Sequence, residues 1–281
     1  MAENVRAIKR RIGNIEDIRQ ITKAMNAIAM TKLTRMKRRL EPARPYVAAL
    51  ESFIAALLAQ GAEVSHPLLA DNGSTAVGVL ALNADRGLCG RFQGEINRKA
   101  EEVVTRDGGK ILAGGEKARA HFSTQRGIEI LRAYTHLYEE PSIQAARRIA
   151  RDAIDLYTAG EIGKLVVVGM EFVSDLAQRL VTVDLLPIRV APAGGEAIVE
   201  PGDAAEMLAI ALPLYLEGKI FGLLLETKTS EHAIRRQAMK NATDNADDLL
   251  TVLTRFYHKA RQQSITREIA DIVGGAEALR E

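Results

Sequence analysis

The sequence predicts an α/β fold in which two long terminal helices pair as an antiparallel coiled coil beside a small, parallel-rich sheet. Three observations carry this expectation. Apolar or small residues recur at Met239, Ala242, Ala246, Leu249, Leu253, Phe256 and Ala260, alternately three and four apart; this is a heptad seam, and it requires a partner helix along its length. A second stripe with the same spacing begins at Val5, Ile8, Ile12 and Ile15. Between the two, short apolar runs alternate with amphipathic segments, the pattern of strand and helix in a parallel sheet. The antiparallel sense follows because one α/β body joins the helices and both must return to it.

Composition narrows the function. A chain of 281 residues holds one large domain or two small ones, and the patterning divides it at 1–60, 75–190 and 203–281. Charged residues make up 26% with a net charge of +2, which excludes nucleic-acid binding through bulk electrostatics. The single cysteine, Cys89, excludes an internal disulfide framework and fits a reducing compartment. Charges begin at Glu3 and Arg6 with no apolar core behind them, so no secretory signal is expected. The longest apolar runs, Met207–Leu216 and Leu165–Val168, fall short of the roughly 20 residues that cross a bilayer. The expectation is a soluble chain whose membrane association comes through partners.

The N-terminal helix is expected from Glu3 to about Gln60. Its stripe continues through Ile18, Ile21, Met25 and Ile28, then Leu33, Met36 and Leu40, and Pro42 and Pro45 mark a bend. At 1.5 Å per residue, forty residues reach about 60 Å and the C-terminal seventy about 105 Å, so part of the longer helix must project or pack elsewhere. Between Met1 and Glu41 stand eleven Lys or Arg against four acidic residues. No aromatic residue interleaves this run, which favours a partner with an acidic surface over a nucleic acid.

In the middle of the chain Ala76–Leu82, Lys110–Ala113, Glu129–Leu131 and Lys164–Met170 read as strands, and Phe92–Arg106, Glu116–Arg126 and Ser142–Ala159 as helices. Leu165–Val168 has no polar break, as expected of a strand covered on both faces. Leu180–Leu186 alternates, with Thr182 and Asp184 on a wetter face. The turn Asp85-Arg86-Gly87-Leu88-Cys89-Gly90 lies where open α/β sheets bind ligands, but its glycines do not have the dinucleotide spacing. Gly109 and Gly114 have the first spacing of a phosphate loop, yet Gly115-Glu116 follows where Lys-Ser/Thr is required. The histidines at 66, 121, 136, 232 and 258 show no metal-ligand spacing, and no hydrolase or metalloprotease motif is present. The body therefore reads as non-catalytic, with no cofactor, and Cys89 as a small residue in a tight turn.

Pro187 to Gly202 holds Pro187, Pro192, Gly194, Gly195, Pro201 and Gly202, a turn-rich connector with Asp203 as N-cap of the last helix. Pro213 falls ten residues into that helix and is expected to kink it. After Ala260 the register slips: Gln263 and Arg267 take seam positions, and a new stripe follows at Ile265, Ile269, Ile272 and Ala276. The break is either a solvated turn or a change of partner. The stripe Ile8, Ile12, Ile15 is expected beside Ile265, Ile269 and Ile272.

Long ordered motifs at both ends carry a family resemblance. SEHAIRRQAMKNATDNADDLL and YHKARQQSITREIADIVGGAEAL, with VRAIKRRIGNIEDIRQITKAMNAIAMTKL and ARPY near the N-terminus, resemble the γ subunit of F-type ATP synthases. NADRGLCG is similar to the corresponding turn of that family, whose central domain is Rossmann-like and holds no nucleotide. The resemblance implies a rotor, or central stalk, that couples ion flow through the membrane sector to the catalytic β subunits while lacking catalytic residues of its own. It implies α, β and ε subunits and a membrane c-subunit ring as partners, no nucleic acid and no direct membrane insertion. The place implied is the cytoplasmic face of the bacterial inner membrane, peripheral through the complex. Carried over residue by residue, Lys23, Met25 and Arg235 match lever-region positions near the acidic loop of β. Arg261, Gln262, Thr266 and Glu268 match positions that hydrogen-bond the catch loops of α and β. Ile269, Ile272 and Val273, with Gly274, Gly275 and Ala276, form the apolar bearing tip. The connector before the last helix faces the c ring in the family; the chloroplast insert with its cysteine pair is absent. Pro213, and Arg91 where the family usually has glycine, depart from the pattern. Rival readings are the sodium-coupled variant of the complex, a coiled-coil scaffold or nucleic-acid adaptor with a non-catalytic α/β domain, and a small α/β enzyme with a helical arm.

Overall fold

The computed structural model describes residues 5–59, 66–190 and 204–278. The connector residues Pro192, Gly194, Gly195, Pro201 and Gly202 and the cap expected at Asp203 lie outside them. The elements are α1 (Val5–Ala59), β1 (Val77–Leu82), α2 (Phe92–Asp107), β2 (Lys110–Gly114), α3 (Glu116–Phe122), β3 (Ile130–Tyr134), α4 (Ile143–Thr158), β4 (Lys164–Phe172), β5 (Gln178–Leu186) and α5 (Ala204–Ala278). Two compact units divide the chain, Met30–Arg235 and Met1–Ala29 with Arg236–Glu281, so the boundary falls inside both long helices.

The larger unit is built on a five-stranded sheet of order β3-β2-β1-β4-β5. β1, β2, β3 and β4 pair in parallel and β5 closes one edge antiparallel. Every residue of β1 is buried, because the sheet is covered on both faces. Alternate side chains divide between two cores, as the pleat requires. Leu80, Leu82 and Val167 pack with α4 and with Leu208, Leu212, Leu216, Ile220 and Leu224 of α5. Val79, Ala81, Val166 and Val168 pack with Phe92, Ile96, Ala100 and Val103 of α2 and Phe122 of α3. β5 alternates as expected, with Thr182 and Asp184 exposed and Leu185 and Leu186 buried. α3 is shorter than its amphipathic pattern suggests, ending at Phe122.

α5 contains a stretch of mean hydropathy 1.7, long and apolar enough by composition to cross a membrane, contrary to the expectation that none is. Half of that stretch is buried inside the protein, where the leucines of α5 form the sheet's main core. Continuous assignment through Pro213, and through Pro42 and Pro45 in α1, shows that none of the three prolines ends its helix. Each removes one backbone donor; near Pro42 and Pro45, Leu40 and Ala43 of α1 pack with Phe221 and Leu225 of α5. In this unit the two helices run antiparallel, with Arg44 paired to Glu226 at 2.8 Å and Glu51 to Lys219 at 3.1 Å.

Much of the basic run on α1 is engaged inside this unit. Arg35 pairs with Glu140, Lys37 with Asp175 at 2.9 Å, and Arg39 donates to the carbonyl of Pro141. Arg44 also donates to the carbonyl of Phe172 at 2.8 Å.

The smaller unit is a two-helix antiparallel pair. Arg19 meets Asp247 at 3.1 Å and Thr22 meets Thr243 at 2.9 Å, so rising numbers on one helix meet falling numbers on the other. The seam differs from the expected one. On α1, Ile8, Thr22 and Ala29 are buried and Val5, Ile12, Ile15, Arg19 and Asn26 half-buried, whereas Ile18, Ile21 and Ile28 are 49%, 59% and 58% exposed. On α5 the seam runs through Met239, Thr243, Ala246, Leu250, Leu253, Tyr257 and Ala260. Leu249 and Phe256 point outward instead. Both seams keep the spacing of three and four, but α5 is turned by one residue at alternate positions, and α1 by one residue at four successive positions, from Arg19 to Ala29. The C-terminal stripe is corrected too: every side chain from Ile265 to Ala276 is exposed, so Ile265, Ile269 and Ile272 are not buried against the stripe at Ile8, Ile12 and Ile15.

Candidate functional site

In the larger unit, the loop after β1 is fixed by one carboxylate. Asp85 Oδ1 accepts from the backbone N–H of Glu116 and of His136, both at 2.9 Å. It thus ties the loop to the start of α3 and to the segment after β3. Its Oδ2 has no partner among the described residues. Beyond Asp85 the chain turns through Leu88 at φ 61° and Gly90 at φ 53°. Leu88 stands 61% exposed while Cys89 is buried. Burial raises the Cys89 thiol above its ordinary value, which makes it a poor nucleophile. Arg91 begins α2 and pairs with Glu95 at 2.6 Å.

The glycines here serve close packing. A Cβ at Gly109 would stand 2.5 Å from the carbonyl oxygen of Val77, and one at Gly114 would stand 2.7 Å from Ala81 O and from Tyr138 Oη. The phosphate-loop spacing thus reflects strand β2 pressed against its neighbours.

Opposite the turn, α5 buries a charged cluster. Lys228 Nζ pairs with Glu231 at 2.7 Å, and Glu231 pairs with Arg235 at 2.7 Å. The side chains of Lys228, Glu231 and Arg235 are 2%, 4% and 12% exposed. Arg235 Nη2 donates to the carbonyls of Arg86 and Gly87 at 3.3 and 3.4 Å. Lys228 sits 5.4 Å from the ring centroid of Tyr138, whose hydroxyl donates to Asn83 O at 2.7 Å. Burial alone would raise the Glu231 carboxyl, but Lys228 and Arg235 outweigh it and hold the group well below the usual carboxylate range. His232, buried beside them, is pushed down to about 4, first by burial and then by the nearby cations Arg235, Lys228 and Lys32 against the pull of Glu231. Its Nδ1 lies 3.4 Å from Arg235 Nη1, an arrangement suited to a neutral imidazole accepting from arginine. Sequence reading did not single out Lys228 or Glu231; it named Asp85 only as part of a turn and His232 only as a histidine without metal-ligand spacing. The available signal was a set of charges three and four apart in an otherwise apolar helix.

The residues carried over by resemblance fall in two places. Arg235 belongs to the cluster just described. The others are in the helix-pair unit. Lys23 is exposed and Met25 half-buried on α1, and Arg261, Gln262, Thr266, Glu268, Ile269, Ile272 and Val273 are exposed on α5. A groove of about 610 Å³ opens between Val5 and Arg6 of α1 and Tyr257, Arg261, Ser264 and Glu268 of α5. Ser264 Oγ donates to Glu268 Oε1 at 3.1 Å, and Thr266 Oγ1 to the Gln262 carbonyl at 3.0 Å. Both bonds are local to one helix, which leaves the polar collar at 261–268 and the apolar tip after it facing outward. Among the described residues no group of three or more His, Cys, Asp or Glu is placed to hold a metal.

Comparison with known proteins agrees along the whole chain. A family model described as ATP synthase matches residues 4–279. The chain is 39% identical to the ATP synthase gamma chain of Symbiobacterium thermophilum, covering all of both chains. It is 40% identical to that of Desulforamulus reducens, covering 98% of this chain and 99% of the relative. Its fold is shared with a chain of the Euglena gracilis mitochondrial ATP synthase in rotational state 3, at a TM-score of 0.72 and 17% identity over 98% of this chain and 94% of that one. A chain of the central stalk and c ring structure from Tetrahymena thermophila matches at 0.61 and 22% identity, over 79% of this chain and 99% of that one. A doubly wound sheet carried with two long antiparallel helices, matched end to end by curated gamma chains at this identity, means that the chain belongs to the ATP synthase γ-chain family.

Proposed function

We propose that this chain is the rotating shaft of a bacterial F-type ATP synthase, coupling ion flow through the membrane sector to the three catalytic β subunits. The observation that supports it most is the bare end of α5, where a polar collar and an apolar tip follow a tightly paired helix seam. A shaft needs an end that can turn inside a sleeve, and small or apolar residues (Ile269, Ile272, Val273, Gly274, Gly275) offer no directional bonds to break on turning. It also needs polar groups that distinguish one rotary angle from another; Arg261, Gln262, Thr266 and Glu268 supply these, with Lys23 on α1, where Met25 is an apolar neighbour in the lever region. A single charged contact at 4 Å is worth about 4 kcal/mol at an effective dielectric near 20, before desolvation, enough to bias one angle.

In this reading the chain hydrolyses nothing itself. It sits between the α and β subunits on one side and ε and the c ring on the other, peripheral to the cytoplasmic face of the inner membrane. The segments 1–60 and 203–281 act as shaft and 75–190 as the body. The test is reconstitution: purified with α and β subunits, the chain should restore rotation-coupled ATP hydrolysis, while alone it should neither hydrolyse ATP nor bind it at micromolar concentration. Hydrolysis by the isolated chain, lost on changing Gly109 or Gly114, would overturn the reading in favour of an enzyme.

A further inference from the structure

The buried charges of α5 answer to one exposed turn. Lys228, Glu231 and Arg235 occupy one face of the helix at spacings of three and four, and the last of them donates to two successive backbone carbonyls, Arg86 and Gly87. Those carbonyls belong to a turn whose outer side chains, Arg86 and Leu88, are 73% and 61% exposed. Left to itself, a non-glycine residue at positive φ such as Leu88 would relax toward negative φ. The first half of the turn is therefore held twice, Asp85 by the backbone of Glu116 and His136, and the carbonyls at 86 and 87 by Arg235. Tyr138 closes the arrangement, its ring under Lys228 and its hydroxyl on Asn83 O. A hydrophobic trio would fill the same space at similar or better stability. What a network of oriented charges adds is one permitted geometry.

We infer that Lys228, Glu231 and Arg235 form an ionic strut whose role is to hold the 85–90 turn in one position on the body, making Glu231 and Lys228 positioning residues that act through Arg235. The inference deepens the rotor reading and rests on it only for its consequence in the complex: a turn fixed to α5 moves with the helix, whereas a slack turn lags behind it.

The strut can be tested on the full chain by hydrogen exchange and in the assembled complex by coupling. Arg235→Lys keeps the charge beside Glu231 but loses the forked guanidinium. It should leave the melting temperature unchanged while exchange at the amides bonded to the turn, those of Phe92, Glu116 and His136, quickens at least tenfold, with the rest of the sheet unaffected. The charge-free pair Lys228→Met with Glu231→Leu should do the same. Glu231→Asp should retain part of the protection. In the complex, the charge-free pair, which leaves Arg235 itself in place, should lower the ions pumped per ATP with hydrolysis preserved. Unchanged exchange at Phe92, Glu116 and His136 in Arg235→Lys overturns the strut whatever the complex does. Looser exchange with normal coupling upholds the strut and removes its link to the rotor. If the charge-free pair fails to fold, Arg235→Lys decides the matter alone.

Discussion

Thr243 of α5 lies 2.9 Å from Thr22 of α1, hydroxyl to hydroxyl, at the buried centre of the helix-pair seam. Thr22 donates to its own helix at Arg19 O, 3.0 Å away, and so can accept from Thr243. Thr243 has a second acceptor within 2.8 Å, the carbonyl of Met239. A hydroxyl pair at a seam position sets register more than it adds stability, since a slipped pairing would bury each hydroxyl against apolar surface.

The seam makes opposite predictions for neighbouring residues of α1. Leu33, 1% exposed in the larger unit, should lose roughly 2–5 kcal/mol on replacement by Ala. Ile21, 59% exposed, should change stability by less than about 0.5 kcal/mol. Replacing Thr22 and Thr243 together by Val should stay within about 1 kcal/mol of the parent, because both partners go at once. Urea unfolding of the isolated chain measures all three. A large loss at Ile21 would mean that the seam includes it.

Acid should loosen the larger unit in two stages. The folded state holds His232 near 4 against 6.5 for the free side chain. The stability this represents is fully present above pH 6.5 and is lost as pH falls toward 4, by about 3 kcal/mol at 1.36 kcal/mol per unit. Glu231 is depressed in the folded state, so its contribution is present above its ordinary value of 4.5 and is lost as pH falls through the lower folded value. Both act in the same direction. His232→Gln should flatten the upper stage, since its side-chain oxygen can still accept from Arg235. Urea midpoints between pH 7.5 and 4.5 that keep the parent slope in this variant would refute the assignment.

Torque handover should be separable from assembly. In the rotor reading, Arg261→Ala removes one polar side chain of the collar, and Met25→Lys places a new cation on a half-buried position of α1. In purified complexes each should leave subunit composition unchanged and reduce ATP-driven ion pumping relative to hydrolysis by severalfold. Normal pumping and hydrolysis in both would show that the handover lies elsewhere on the shaft.

Much of this was legible in sequence. The strands at 77–82, 110–114 and 164–172 follow from apolar runs, and α4 from its amphipathic period. Ser142 caps α4 by accepting from the Ala145 N–H at 3.1 Å, as a serine before an apolar-periodic run suggests. The polar collar was visible as a slip in register after Ala260. The strut was not, because a charge in a linear sequence carries no mark of burial. Only folding places Lys228, Glu231 and Arg235 beneath the 85–90 turn and Tyr138; in the sequence Arg235 stood out by resemblance and the other two did not. Nor did the scattered apolar residues at the start of α5 announce a stretch hydrophobic enough for a membrane; its burial in the sheet's core is what gives it another use.

The sequence by itself determined that two helices of heptad spacing must pair and that a covered, mostly parallel sheet must separate them. These outcomes follow from local periodicity, which the backbone geometry of helix and strand imposes on any chain. Only the tertiary structure decided which seam is used. On α1, the set Ile18, Ile21, Met25, Ile28 and the set Arg19, Thr22, Asn26, Ala29 both repeat at three and four and differ by a single residue, about 100° of helix turn. Intrinsic hydrophobicity favours the first set, yet the second faces α5. The choice is made by continuity with Ile15 before it and Leu33 after it, and by the surface of the partner helix, where Ala246 and Thr243 admit small or polar neighbours. The five-residue gap from Ile28 to Leu33 is its one trace in the sequence.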